Sequence, residues 1–201
     1  TAALASGRLD AAWLRAVRPW LIGSWLVLSV GNVLGGWWAY TVLGWGGYWG
    51  WDPVENSAIL PLLPLTALLH SMMVQEKRGM LKVWNVSLIA GTFTLALLGT
   101  FLVRSGVLES IHAFGASTLG IPFVTLIAVM IAGSMALVVS RRDTLRSEQS
   151  IDSMLSREAI FLFNNLVLVA MAFVVFFWTF LPLITEALGN KVSVGPPVYN
   201  Q

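Results

Sequence analysis

The chain has no cysteine among its 201 residues. It therefore forms no disulfide, attaches nothing to itself through a thioether, and does no thiol–disulfide chemistry. Charge is scarce as well. Asp, Glu, Lys and Arg make up 11% of the residues, against about a quarter in a soluble domain. Hydrophobic residues reach 57% and the mean hydropathy is +0.77. That balance excludes an ordinary soluble domain and places the chain in the membrane class. The stretch from Thr1 to Arg18 lacks the basic, apolar and small-residue regions of a signal peptide. No domain linker, internal repeat or low-complexity run interrupts the rest. The sequence opens on Thr1 and stops in a Pro- and Gly-containing stretch from Gly195 to Gln201. It reads as an internal segment of a longer protein.

Crossing a hydrocarbon core takes about 20 helical residues. Five apolar segments qualify: Trp20 to Leu43, Ala58 to Val74, Val83 to Val103, Ile121 to Ser140 and Ala159 to Leu181. None contains Asp, Glu, Lys or Arg. The expected fold is an all-α integral membrane protein, residues 1–201 forming one transmembrane helical unit of five helices. The second segment is the shortest and holds Pro61 and Pro64, which should bend it. Pro122 falls in the first turn of the fourth, where a missing N–H costs little.

Basic residues orient the spans. Arg8, Arg15 and Arg18, then Lys77, Arg78 and Lys82, then Arg141, Arg142, Arg146 and Arg157 all fall on one side. Only Arg104 and Lys191, of 12 Lys and Arg residues, fall on the other. Short basic loops stay cytoplasmic, so the loop between the first and second spans faces the opposite compartment. The basic residues are split among membrane-flanking loops, so no nucleic-acid partner is needed to explain them.

That loop, residues 37–56, carries the strongest local signal. Trp37, Trp38, Trp45, Trp49 and Trp51, half of the 10 tryptophans, crowd there with Tyr40 and Tyr48. An interfacial aromatic belt is one reading, sufficient for Trp37, Trp38 and Tyr40. A site for a large flat ligand is the other. Trp45, Trp49 and Trp51 alternate with Gly44, Gly46, Gly47 and Gly50; glycines allow close backbone approach and indoles offer rigid faces. Asp52 before Pro53, with Glu55 three residues on, has the spacing of a capping box that starts the second span. A direct ligand role for the two carboxylates stays open beside it.

The chain has two histidines. His70 lies 14 residues beyond Asn56, about 21 Å along a helix, well inside the membrane. An imidazole there is a functional candidate by default. It is either a metal ligand, since imidazole suits iron, or a residue hydrogen-bonded to a neighbouring helix. His112 lies beyond the third span, in the compartment of the tryptophan loop. As an isolated loop histidine it carries little, but histidine is the commonest axial donor to haem. Arg104, at the same end, fits a bidentate pairing with a carboxylate or a snorkelling helix-end residue.

Taken together, WGGYWGWDPVEN (residues 45–56) resembles the WWD signature of the haem-handling proteins of cytochrome c maturation. LLHS (68–71), GTFLVRSGVLESIHAFG (99–115) and SREAIFLFNNLVLV (156–169) resemble the CcmF-type haem lyase subunits of that family. The similarity covers essentially the whole chain. It implies a subunit that binds haem at the outer membrane face and promotes its thioether attachment to a CxxCH apocytochrome c. The alternative is a haem carrier or exporter with no catalytic role. By resemblance, Trp45, Gly46, Trp49, Trp51, Asp52 and Glu55 form the platform for the substrate haem, with His112 on its iron and Arg104 nearby. His70 would ligate a second, resident haem b within the membrane. Each histidine would find its partner ligand outside residues 1–201. The implied partners are a haem-loaded periplasmic chaperone, the apocytochrome, other maturation subunits and the lipid bilayer. The implied location is the bacterial inner membrane or the mitochondrial inner membrane.

Overall fold

A computed structural model describes residues 2–7, 10–43, 46–107, 118–147, 153, 155–190 and 192. Among these residues there are helices and no strands. In chain order they are α1 (Ala2–Ser6), α2 (Ala11–Val42), α3 (Pro53–Ile59), α4 (Leu62–Arg78), α5 (Lys82–Ser105), α6 (Gly120–Ser140) and α7 (Arg157–Ala187). Five runs are long and apolar enough to cross a membrane: α2, α3 with α4, α5, α6 and α7. The protein is an all-α, multi-pass membrane protein, as its composition requires.

Local chemistry sets the boundaries. Asp10 accepts a 2.9 Å hydrogen bond from the Trp13 backbone N–H and starts α2 ten residues before the apolar run. Pro19 lies inside that helix. Ser156 starts α7 the same way, through the Ala159 N–H at 3.1 Å. Gly79 and Gly106 end α4 and α5 with φ of 66° and 64°, a left-handed conformation that only glycine adopts without strain. The second span is interrupted at Leu60 and Pro61, where regular hydrogen bonding lapses while both residues keep right-handed helical dihedrals. Helix α3 stops at Ile59 and α4 restarts at Leu62. Pro61 makes the interruption; Pro64 sits in the first turn of α4, where its missing donor was already unpaired.

Helix α4 is the centre of the bundle. Eight residues of α4 are buried inside the protein, against two of α2 and none of α6. Leu65, Ala67, Leu68 and Met72 of α4 form a core cluster with Leu14 of α2 and Leu88 of α5, and Trp25, Trp84 and Leu168 pack around it. Helices α2, α5 and α7 all contact α4, and α6 rests on α5. Membrane helices lack a hydrophobic force between them, so polar ties and close packing matter more. Trp25 Nε1 donates to Thr66 Oγ1 at 2.9 Å across α2 and α4. Buried Asn85 of α5 accepts from Ser71 and donates to Gln75 at 2.6 Å, joining α5 to α4. Gly99 lies against Ser57 so closely that a Cβ there would stand 3.2 Å from its Oγ.

Helix α7 runs antiparallel to α3 and α4 along their full length. Asn56 Nδ2 donates to Thr179 Oγ1 at 3.0 Å, His70 meets Asn164, and Arg78 pairs with Glu158 at 3.0 Å. As one residue number rises its partner's falls in step. This single register spans the bundle from its tryptophan end to its basic end.

Candidate functional site

His70 sits half-buried on α4, facing α7. Its Nδ1 lies 2.8 Å from Asn164 Nδ2, the orientation in which Asn164 donates and Nδ1 accepts. The Phe161 ring, nearly one turn away on α7, is tilted against the imidazole with centroids 6.0 Å apart. The partner is thus a side chain on another helix; Ser71 instead bonds to Asn85 and to Ala67 and Leu68 carbonyls. The two open readings of His70 are therefore compatible. A histidine anchored at Nδ1 has its Nε2 left for another partner, as in most metal-ligating histidines.

The arrangement has a protonation requirement. A neutral imidazole carries one proton, on Nδ1 or Nε2. To offer Nε2 as a lone pair, His70 must keep its proton on Nδ1 and donate it to Asn164 Oδ1. A half-turn of the carboxamide exchanges Oδ1 and Nδ2 in nearly the same positions, so Asn164 serves either tautomer. The sequence reading missed Asn164. Its signal was present in the Asn164–Asn165 pair, in a helix whose other residues from Ala159 to Leu181 are almost all apolar. Asn165 is fully buried, and neither polar atom of its side chain has a hydrogen-bond partner among the described residues. A buried amide of this kind is commonly met by an internal water.

The tryptophan loop lies at the other end of α3. Helix α2 continues to Val42, so Trp37, Trp38 and Tyr40 belong to helical turns, and among the described residues of the loop only 43 and 46–52 are irregular. Asp52 and Glu55 form the expected capping box. Asp52 Oδ2 accepts from the Val54 and Glu55 N–H groups at 2.9 and 3.4 Å. Glu55 Oε2 accepts from Asp52 N at 3.4 Å and also from Gly50 N at 3.0 Å. That last bond was not foreseen. It makes Glu55 a clasp on the Trp49–Gly50–Trp51 segment as well as a helix cap. Trp51 adopts φ of 56°, a conformation costly for a bulky residue and typical of functional loops. Tyr48 stacks on Tyr40 at 4.6 Å, fixing the loop to α2, and Gly36 lets the Tyr48 carbonyl approach.

Gly46 turns the loop with φ of 74°, and Trp49 remains exposed. Arg104 is exposed in the last turn of α5. Trp45 and His112 lie outside the described residues. The structure places His70 apart from the loop, with α3 and two turns of α4 between them. Among the described residues no cluster of three His, Asp or Glu side chains is arranged to hold a metal ion.

The fold and site thus define a polytopic membrane protein with an imidazole clasped between two central helices and a braced, aromatic, glycine-rich loop at one end. Residues 2–112 match the family model described as cytochrome c assembly protein, and the chain belongs to that family. The cytochrome c-type biogenesis protein CcmF of Haemophilus influenzae is 48% identical over 100% of this chain and 31% of its own length. CcmF of Pseudomonas aeruginosa is 50% identical over 99% of this chain and 30% of its own. A solved structure of a cytochrome c haem lyase, CcmF, matches with a TM-score of 0.73 at 34% identity, covering 92% of this chain and 28% of its own. The chain therefore spans about a third of the length of the relatives it matches.

Proposed function

We propose that this chain is the haem-handling portion of a haem lyase subunit in c-type cytochrome maturation, in a bacterial inner membrane or the mitochondrial inner membrane. The observation that carries the reading is His70, inside a membrane-crossing helix and held at Nδ1 by Asn164 of a second helix. Imidazole is a common haem donor, and with the Asn164 carboxamide turned to present Oδ1 its second nitrogen would donate as in ligating histidines. The residues around it fit a haem: Phe161 supplies an apolar face beside the ring. A resident b-type haem on His70 would supply one-electron chemistry, keeping the substrate iron ferrous. His70 would be one ligand to it, Asn164 would hold the imidazole in place at Nδ1, and a further segment would give another ligand.

The tryptophan loop would face the non-cytoplasmic side, which the Lys and Arg asymmetry supports. There Trp45, Gly46, Trp49 and Trp51 would form the platform for the substrate haem, and His112 would bind its iron. Arg104 would pair with a propionate. Asp52 and Glu55 would act by bracing the loop. A chaperone would deliver the haem and apocytochrome c would receive it. Attachment adds each cysteine S–H across a haem vinyl double bond, so the chain need supply no nucleophile. Its contribution is proximity and orientation, in keeping with the absence of cysteine.

The test is an absorption spectrum of the full-length protein, oxidised and reduced, for wild type, His70→Gly and His112→Ala. Loss of the b-type spectrum in His70→Gly, with thioether formation lost in His112→Ala, is the expected result. A b-type spectrum that survives His70→Gly overturns the resident-haem assignment. Haem bound at the loop with no resident redox haem marks a carrier without a catalytic part.

A further inference from the structure

We propose that the cleft between the basic ends of α4 and α7 holds the propionates of the haem ligated by His70. The inference rests on the ligand reading of His70. The cleft has a volume of about 490 Å³, within the range of small-molecule sites. Its walls divide by chemistry. Met73, Val74 and Phe161 form an apolar part, and Lys77, Arg78 and Arg157 form a cationic part, with Glu158 the one carboxylate.

This cleft adjoins the His70–Asn164 contact through Phe161, which lines it and lies beside the imidazole. Met73 and Val74 follow His70 by about one helical turn on the same face of α4, and Lys77 by about two. Phe161 and Arg157 step back from Asn164 along α7 by similar intervals. Two turns span roughly 11 Å. The apolar wall begins at the imidazole itself, since Phe161 lies against it. Helical side chains lean toward their own N-terminus, so Lys77 leans back toward His70.

The charges are unbalanced in a way that suits two carboxylates. Arg78 is engaged with Glu158 at 3.0 Å. Lys77 and Arg157 line the same cleft and make no ion pair among the described residues. Haem carries two propionates on one edge of an apolar disc, which is the complement of a greasy wall ending in two cations. An anionic phospholipid offers the same head chemistry. Haem is preferred because the apolar wall leads to the imidazole and not outward along the bundle surface.

The experiment titrates haem-free, full-length protein in nanodiscs with iron protoporphyrin IX or its dimethyl ester, reading Kd from the Soret band. Charge-assisted hydrogen bonds are strong enough for each lost cation to weaken binding about tenfold. Wild type should prefer the free acid by tenfold or more. Lys77→Gln with Arg157→Gln should lose that preference, and Lys77→Arg with Arg157→Lys should restore it. The double Gln variant keeping wild-type affinity for the free acid, or the wild-type preference for acid over ester, overturns the proposal. So does haem affinity that ignores these residues while phosphatidylglycerol stabilises wild type and not the double variant, since the cleft is then a lipid site. A b-type spectrum and haem affinity untouched by His70→Gly would instead sink the ligand reading, which separates the two failures.

Discussion

Replacing Asn164 tests whether the imidazole it holds is a ligand or a packing residue. Leu is close to Asn in size, so Asn164→Leu keeps the α4–α7 packing while removing the 2.8 Å partner of His70 Nδ1. If His70 ligates through Nε2, its Nδ1–H loses its acceptor, the ring can turn, and the donor becomes less basic. Loss of such a partner typically costs 10- to 100-fold in affinity, or about 1.4 to 2.7 kcal/mol. Asn164→Asp should act in the opposite direction. A carboxylate only accepts, so it holds the proton on Nδ1 and increases the electron donation from Nε2, favouring ferric iron. A tenfold shift between oxidation states lowers the midpoint potential by about 59 mV. Both variants are read in full-length protein, by Soret titration for affinity and by redox potentiometry followed at the α band. A purely structural role would lower thermal stability and leave the potential alone. Wild-type haem affinity in Asn164→Leu together with an unchanged potential in Asn164→Asp would show that His70 is not a ligand held by Asn164.

Other substitutions test how the loop and the bundle are held. Asp52→Ala removes the acceptor for the Val54 and Glu55 N–H groups and should cost about 0.5 to 2 kcal/mol in thermal unfolding. Asp52→Ser should recover most of it, and equal losses in both variants would count against a capping role. Gly36→Ala should destabilise by about 1 kcal/mol, because its Cβ would stand 3.1 Å from the Tyr48 carbonyl. Gly35→Ala meets nothing within 4 Å and should leave stability equal or higher, so identical melting shifts would refute the contact. Asn85→Leu leaves buried Gln75 without its α5 partner and should cost about 0.6 to 2 kcal/mol, measured by unfolding in mixed micelles. No loss there would mean that packing alone joins α4 and α5.

The spans were legible because each is a long run without charge, and hydrocarbon leaves the backbone no other choice than a helix. The capping box was legible for a similar reason: Asp52, Pro53 and Glu55 act within one turn, where spacing is geometry. What failed to show was everything that needs two distant segments. Pro61 announced a bend, but whether the helix bends or breaks depends on what neighbours supply. The bond from Gly50 N to Glu55 arises because the loop folds back, which no periodicity encodes. Asn164 lies 94 residues from His70, and its pairing requires knowing that α7 runs antiparallel against α4. The asparagine pair was visible as an oddity in an apolar helix, but not the direction in which each side chain points.

That antiparallel pairing also bears on how the two ends of the molecule communicate. Asn56–Thr179, His70–Asn164 and Arg78–Glu158 are held by one register between α7 and the interrupted helix α3–α4. Sliding α7 by one residue moves it about 1.5 Å along the axis and turns its side chains by about 100°, enough to break all three contacts together. The three are therefore one geometric unit. Asn56 follows directly after the capping box, so the position of Asp52 and Glu55 is tied through α7 to the orientation of the His70 ring. Pro61 removes a hydrogen bond from the α3–α4 junction, and a proline there is expected to loosen that tie by letting α3 tilt on α4. It follows that Asn56→Leu should alter the loop while leaving the His70 environment close to wild type. Arg78→Gln, which acts on the unbroken side of the hinge, should disturb His70 and spare the loop. Measuring haem spectrum and loop tryptophan fluorescence in both variants separates the two arms. If both probes move in both variants, α3 and α4 behave as one rigid helix and Pro61 is no hinge.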